Sequence, residues 1–339
     1  MNPSKFHTIV DVPVFNRKTG YSQKNIFMGS CFTENVGNRM AVLKYVVDIN
    51  PFGILYNPIS VANGLRILLQ QREFTTADLI QADGLWHSFY HHGRFSFHNE
   101  KDTLNAINSR IKSSAEFLKE AGFLFITFGT AWIYKYKKTG QPVSNCHKIQ
   151  AKEFDRVRLS VGEIVAEYRN LFSEIRQLNK AIKIVFTVSP IRHWNDGAIE
   201  NQRSKAILLL AIDELIHEFG DDFCAYFPAY EIVMDELRDY RFYAEDMIHI
   251  SDVAVNHIWD KFQKSLIDNE SQQIALQVQK VVKALNHKPL HENAPEYVRF
   301  LQQMTEEINR LENKYKLLNL TIEKEYFKTE KDRIELQMK

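Results

Sequence analysis

Cysteine is scarce in this chain of 339 residues, and the three that occur, Cys31, Cys146 and Cys224, stand far apart. They are too few and too scattered to form a disulfide framework or a cysteine-based metal site. No run of about 18 apolar residues is present, which is the length that a membrane-spanning helix needs. The segment 1–12 has no apolar core of signal-peptide length. These absences predict a cytoplasmic protein without a membrane span.

Neither sign of charge is in excess. Lysine and arginine number 43 against 42 aspartates and glutamates, so the net charge is +1. No basic stripe indicates a nucleic-acid partner. The length allows two medium domains, or one α/β domain with an extension.

Strand and helix patterns alternate along most of the chain. Apolar runs of strand length are followed by segments with apolar residues at helical spacing, and this alternation predicts a parallel sheet covered by helices on both faces. The predicted strands are 26–28, 123–128, 182–188 and 224–227, and the predicted helices are 34–45, 58–71, 102–120, 160–181 and 200–219. Active sites in such sheets lie at the carboxyl ends of the strands, where Ser30, Gly129 and Pro190 are expected.

The pair Gly29-Ser30 stands where the first strand turns into a helix. A hydroxyl at this point lies beside the N–H groups of a helix N-terminus, which can hold the oxyanion that the attack of the hydroxyl creates. Ser30 is therefore a candidate nucleophile. The alternative is that Ser30 or Thr33 only caps the helix.

Asp246 and His249 are three residues apart, just before a helical pattern that starts near Val253. On a bend, the carboxylate of such a pair can hold one ring nitrogen and leave the other free to act as a base. The alternative is a surface loop with a capping aspartate. Together with Ser30, the pair completes the set of nucleophile, base and acid that nucleophilic catalysis needs.

Several short blocks along the chain extend this pattern. They are Gly29-Ser30-Cys31-Phe32, Asn50-Pro51-Phe52-Gly53, Tyr56-Asn57-Pro58, Phe128-Gly129-Thr130-Ala131-Trp132, Asn145-Cys146-His147-Lys148, Ser189-Pro190-Ile191-Arg192-His193-Trp194 and Asp246-Met247-Ile248-His249. In these blocks the chain resembles the GSCFA family of the SGNH (GDSL-type) hydrolase superfamily, over roughly residues 5–265. The resemblance implies an α/β fold of three layers, an SGNH-hydrolase-like parallel sheet between helices. It also implies a triad of Ser30, Asp246 and His249, with Gly53 in the glycine block of the oxyanion hole.

The chain departs from the superfamily at the asparagine block. After the strand 123–128 a typical member has Gly-x-Asn, and here the residues are Gly129, Thr130 and Ala131. The Thr130 hydroxyl can donate one hydrogen bond, and Asn145 or its neighbour His147 are the other candidate donors. Because the loss of one oxyanion donor costs about a hundred- to a thousandfold in rate, catalysis has to be tested at this point.

Further candidates for substrate binding lie in two segments. The segment 82–98 is rich in aromatic residues and has three histidines within six residues, but it lacks the spacing of a metal site, so no metal and no cofactor is expected. We expect it to form a lid or a sugar-stacking wall, with Trp86 and His87 beside the pocket. Arg192 and His193 directly follow a strand and could face the substrate. Arg192 then pairs with a carboxylate or phosphate of the substrate, or alternatively forms a structural ion pair within the protein.

Beyond residue 265 the pattern changes to heptads. Apolar residues keep 4-3-4 spacing at Ile274, Val278, Val281 and Leu285, and then at Tyr297, Leu301, Met304, Ile308, Leu311, Tyr315, Leu318 and Ile322. This spacing predicts a hydrolase domain over 1–265 and a helical coiled-coil extension over 266–339, with one long helix through 297–322 that frays beyond it. The seam is buried in a hairpin within the chain across a break at Pro289, which we favour slightly, or in a homodimer.

These observations predict a serine hydrolase or acyltransferase of the SGNH (GDSL-like) esterase type. It would act on an O-acyl ester of a small molecule or a carbohydrate. Two alternatives stay open at this point: an acyl hydrolase with Cys31 as nucleophile, since a helix N-terminus lowers thiol pKa values, and a catalytically silent binding or assembly protein whose working part is the coiled coil. The sequence does not distinguish hydrolysis from acyl transfer.

Overall fold

The computed structural model of the protein describes residues 8–287 and 295–337. The strands are β1 (Lys24–Gly29), β2 (Val47–Ile49), β3 (Ile80–Ala82), β4 (Leu85–His87), β5 (Ala121–Phe128), β6 (Trp132–Tyr136), β7 (Pro142–Val143), β8 (Phe154–Arg158), β9 (Lys183–Val188) and β10 (Cys224–Tyr226). The helices are α1 (Cys31–Val42), α2 (Pro58–Gln70), α3 (Glu100–Lys119), α4 (Val161–Leu178), α5 (Gly197–Phe219), α6 (Ala229–Glu231), α7 (Asp252–Leu266), α8 (Asn269–Leu285), α9 (Pro295–Lys314) and α10 (Thr321–Gln337).

Five parallel strands form the central sheet, in the order β10-β9-β5-β1-β2. The middle strand β5 is buried along its whole length, which explains its near-continuous apolar sequence. In the register of β1 with β5, Phe27 lies opposite Phe125, and their rings stack at 4.5 Å. The predicted parallel sheet is confirmed.

Helices cover both faces of this sheet. Ile26 and Ile126 point into a core that α2, α3, α4 and α5 share. The alternate positions Phe27 and Phe125 point into a second core, which α1, α7 and the three C-terminal helices share. Because burial of one such side chain contributes about 1.5–3 kcal/mol, these two layers hold the carboxyl edge of the sheet in place.

The predicted single helix over 297–322 is wrong. Helix α9 ends at Lys314, and the chain turns before α10 begins at Thr321. The heptad residue Leu318 is buried in this turn, while Ile322 is exposed on α10. Helix α10 then continues where fraying was predicted, because Phe327 and Ile334 are fully buried on its inner side.

Helices α8, α9 and α10 pack against one another within the chain and share the core of the sheet face that α1 covers. Two polar contacts join them to the segment after α1: the Tyr45 hydroxyl donates to the carbonyl of Ser271 at 3.3 Å, and Lys44 forms an ion pair with Glu323 at 2.5 Å. The predicted break at Pro289 lies outside the described residues, and pairing in a homodimer stays a prediction.

Two smaller sheets flank the central one. Strands β6 and β7 form an antiparallel hairpin, and β8 pairs with the other side of β6. Strands β3 and β4 form a separate hairpin. Within residues 8–287 and 295–337, none of the helices combines the length and apolarity needed to cross a bilayer.

Candidate active site

Ser30 lies at the N-cap position of α1, directly after β1. The preceding Gly29 has φ of +144°, and a Cβ there would lie 2.2 Å from the carbonyl oxygen of Thr127, so only glycine fits. Ser30 is 1 % exposed, its side chain makes no capping hydrogen bond, and within the described residues its Oγ has no partner. The capping interpretation of Ser30 is therefore wrong, and a buried hydroxyl without a partner calls for another explanation.

The loop after β2 fixes the peptide that carries Ser30. The Gly29 N–H donates to the side-chain oxygen of Asn50 at 2.9 Å, and the Gly29 carbonyl accepts from the Leu55 N–H at 2.9 Å. Both groups of Gly29 are thus held by one loop. This leaves little freedom for the backbone on which the Ser30 hydroxyl stands.

Asp246 and His249 face each other in a tight turn before α7. Oδ1 of Asp246 accepts the backbone N–H groups of Ile248 and His249, each at 2.9 Å, and Oδ2 lies 2.5 Å from His249 Nδ1. The hydrogen bond from the His249 ring, followed by those from the two N–H groups, lowers the pKa of Asp246 to about 2. Since an ionised carboxylate only accepts, Nδ1 carries the proton and Nε2 is left as an acceptor.

Ser30 and His249 line the same pocket of about 450 Å³. Five of the residues predicted for the site meet there: Ser30, Thr130, Arg192, His193 and His249. Asp246 stands behind His249, whose side chain is 56 % exposed. Ser30 Oγ and the His249 ring form no hydrogen bond in this structure. Such bonds often form only once the substrate is bound.

Lys205, which the sequence analysis missed, lies under this pocket with its ammonium group fully buried. Nζ donates to the carbonyls of Gly129 at 2.6 Å and Ser189 at 2.7 Å, and so joins the carboxyl ends of β5 and β9. Burial, with a smaller contribution from the charge of Arg192, lowers the pKa of Lys205 to about 7. The only sequence signal was its place on the buried side of α5, in line with Leu208 and Ile212.

His193 is a neutral histidine on the pocket wall. Burial, reinforced by the charge of Lys205, lowers the pKa of His193 to about 4. Its backbone N–H donates to the side-chain oxygen of Asn201 at 3.0 Å, and its ring stands edge-on to Tyr56 at 5.4 Å. A neutral imidazole can donate one hydrogen bond to a substrate and accept another.

The predicted oxyanion donors are largely engaged elsewhere. The hydroxyl of Thr130 lies 3.1 Å from Oγ of Ser204. The Gly53 N–H donates to the carbonyl of Asn50 at 2.8 Å, and Gly53 does not line the pocket. Asn145 is also absent from the lining, and its side-chain oxygen accepts from the His147 N–H at 2.9 Å.

The predicted lid is a packed part of the fold. The rings of His87 and His147 stack at 4.3 Å, and His147 Nε2 lies 2.7 Å from the carbonyl of Ser88. Burial lowers the pKa of His147 to about 4. Trp86 packs against the core that α2, α3, α4 and α5 share, and neither it nor His87 or His147 lines the pocket. No group of three or more His, Cys, Asp or Glu in the described parts of the chain is arranged to hold a metal ion.

A second groove of about 590 Å³ adjoins the pocket and shares Arg192, Trp194 and Ile248 with it. Trp194 and Tyr240 line it and are 55 % and 75 % exposed. Arg192 donates to the sulfur of Met234 at 3.2 Å and forms no ion pair with a carboxylate of the described residues. The predicted alternative of a structural ion pair for Arg192 is therefore wrong.

The parallel sheet and the helices on both of its faces define an α/β protein. The chain belongs to the GSCFA family, whose sequence profile matches residues 24–262. Residues 278–332 match the C-terminal domain of GSCFA domain proteins. No curated protein matches the chain.

Among solved structures, an acetyl xylan esterase from the rumen bacterium Butyrivibrio proteoclasticus is similar at 9 % identity and a TM-score of 0.34. The match covers 76 % of this chain and 66 % of that one. A likeness at this level is too distant to bear on activity.

Proposed function

We propose that the protein is an SGNH-type serine esterase, with Ser30 as nucleophile, His249 as base and Asp246 as the residue that orients the base. One observation carries the proposal. A buried serine hydroxyl with no partner among the described residues lines the same pocket as a histidine whose Nδ1 lies 2.5 Å from a carboxylate oxygen. Nucleophile, base and orienting group are the minimum for acyl transfer through a covalent intermediate.

In this mechanism the ester carbonyl enters the pocket beside Ser30. Oγ attacks the carbonyl carbon while His249 Nε2 takes the hydroxyl proton, and Asp246 stabilises the imidazolium. Collapse of the tetrahedral intermediate breaks the bond to the leaving alkoxide, which receives the proton from His249. Water then attacks the acyl-serine by the same route, releasing the acid and restoring Ser30.

Hydrolysis is favoured over transfer to another alcohol. An acyltransferase has to keep water away from its acyl-enzyme. Here the His249 side chain, which would activate the second nucleophile, is 56 % exposed and water reaches it freely.

A carbohydrate ester is the substrate class that we favour. The groove beside the pocket carries the exposed rings of Trp194 and Tyr240, and aromatic rings stack well on the apolar faces of sugars. Arg192 lies where the pocket and the groove meet and can donate to a hydroxyl or an acidic group of the alcohol portion.

Cys31 is a weaker candidate for the nucleophile, although it also lines the pocket. Burial raises the pKa of its thiol, and the backbone N–H groups of Phe32 and Cys31 offset only part of that effect. Since the thiolate is the reactive form, a raised pKa argues against a Cys31-dependent enzyme.

The test is turnover of p-nitrophenyl acetate together with labelling by a fluorophosphonate probe, in wild type, Ser30→Ala, Cys31→Ala and His249→Ala. We expect the Ser30 and His249 variants to fall to near the uncatalysed rate, and Ser30→Ala alone to lose the label completely. Cys31→Ala should keep both. Loss of turnover in Cys31→Ala instead assigns the chemistry to the thiol, and a wild type that neither reacts nor turns over supports the binding or assembly protein.

A further inference from the structure

We infer that the side-chain amide of Asn57 is the hydrogen-bond donor that stabilises the oxyanion formed at Ser30. This inference rests on the proposed ester chemistry. An esterase needs donors aimed at the oxygen that becomes charged.

Two of the backbone donors expected near Ser30 are already engaged. The Ser30 N–H points to the carbonyl of Thr127 at 3.3 Å, and the Gly53 N–H donates to Asn50 at 2.8 Å. The Thr130 hydroxyl lies 3.1 Å from Oγ of Ser204 and accepts from the Trp132 N–H at 3.2 Å. A further donor can come from another residue of the lining.

Asn57 lines the pocket together with Ser30 and is 7 % exposed. Its side-chain oxygen accepts the Ser60 N–H at 2.8 Å, as the N-cap of α2. Because an N–H can only be accepted by the oxygen, this bond fixes which end of the amide is which. The NH₂ group of Asn57 donates to no protein atom of the described residues. It is also not fully buried, so a molecule in the pocket can reach it.

The position of this amide is rigid. Pro58 restricts Asn57 to the extended conformation, which it has at φ −118° and ψ 157°. The carbonyl of the preceding Tyr56 accepts from Gly129 at 2.7 Å and from Thr130 at 3.0 Å. The Asn57 backbone is thus attached to the end of β5, and a donor held in this way needs no rearrangement when charge develops.

The cap role offers a clean test, because aspartate and serine also cap helices well while neither has an amide. Asn57→Asp keeps the shape and replaces the donor by a carboxylate, and Asn57→Ser keeps a capping hydroxyl. For both we expect kcat on p-nitrophenyl acetate to fall about a hundred- to a thousandfold with little change in KM, and the melting temperature to stay near that of wild type. Binding of phenylboronic acid, whose serine adduct places an oxygen in the oxyanion site, should weaken by a similar factor.

Asn99→Asp is the matched control, since Asn99 caps α3 in the same way through the Lys101 N–H and does not line the pocket. It should keep full activity. If Asn57→Asp and Asn57→Ser retain more than half of kcat while Ser30→Ala is inactive, the inference is overturned and the esterase proposal stands. If wild type shows no turnover that depends on Ser30, both fall. If both Asn57 variants unfold, Asn57→Gln takes their place, because it keeps the amide but moves it by one methylene. Its kcat and its affinity for phenylboronic acid are then measured, and unchanged values overturn the inference.

Discussion

Lys205 should make the stability of this protein rise with pH. Burial lowers its pKa to about 7 in the folded chain, from 10.5 for the unperturbed group. Between these two values the unfolded chain binds a proton that the folded chain does not bind, so the free energy of unfolding increases with pH. Below about pH 7 both states are protonated and the cost of the buried charge is present in full. Above about pH 10.5 both are neutral and that cost is gone.

The size of the effect follows from linkage. Each pH unit inside this window is worth up to about 1.4 kcal/mol, so the step from about pH 7.5 to 9.5 stabilises the fold by roughly 2–3 kcal/mol. Lys205→Met removes the titration and leaves the carbonyls of Gly129 and Ser189 without their donor. That loss costs about 1–3 kcal/mol for each oxygen, and it does not depend on pH.

The assay is urea denaturation of wild type and Lys205→Met at several pH values across this window, with Lys152→Met on the exposed surface as control. We expect the difference between wild type and Lys205→Met to widen with pH, and that between wild type and Lys152→Met to stay constant. Stability curves of Lys205→Met that run parallel to those of wild type would refute the reasoning.

Three further predictions concern the scaffold. Gly53→Ala should lower the melting temperature strongly, because Gly53 has φ of +80° and an added Cβ would lie 2.2 Å from a neighbouring side chain. Gly84 has a similar φ of +73° but lies in open space, so Gly84→Ala should lower the free energy of unfolding by only about 1 kcal/mol. Lys44→Met should cost about 3–5 kcal/mol in urea unfolding because it leaves the buried carboxylate of Glu323 unpaired, and adding Glu323→Gln should restore most of it. Ile308→Asp should destabilise a chain that sediments as a monomer before and after the change, since Ile308 is buried within the chain; a wild-type dimer that the variant dissociates would contradict this packing.

The sheet could be predicted because burial on both faces leaves a direct trace in sequence. A strand such as β5 has to be apolar at nearly every position, and the helical patterns before and after it in the sequence show where it begins and ends. The C-terminal helices could not be predicted in the same way. Heptad spacing continues through Leu318, yet the chain turns there. The spacing does not reveal this turn, because a leucine can be buried in a turn as well as in a helix.

The candidate site shows the same division. Ser30, Arg192 and His193 each follow a strand of one sheet, so their common edge could be derived from the order of elements. The positions of His87 and His147 could not be predicted. Nothing in the local sequence distinguishes a histidine that stacks inside the packed fold from one that lines a pocket. The division of the chain at residue 265, the cytoplasmic location and the homodimer stay predictions.

The order in which the layers are made has a consequence for the synthesis of this protein. Strands β1 and β5 are complete at Phe128, but α7, whose Phe262 ring packs on Phe125 at 5.4 Å, begins only at Asp252. At typical elongation rates the ribosome needs on the order of 10 s for the residues between. During that time the nascent chain carries a stripe of aromatic side chains that only its last helices will cover. We therefore expect the growing chain to bind holding chaperones, and chains that terminate before α7 to aggregate.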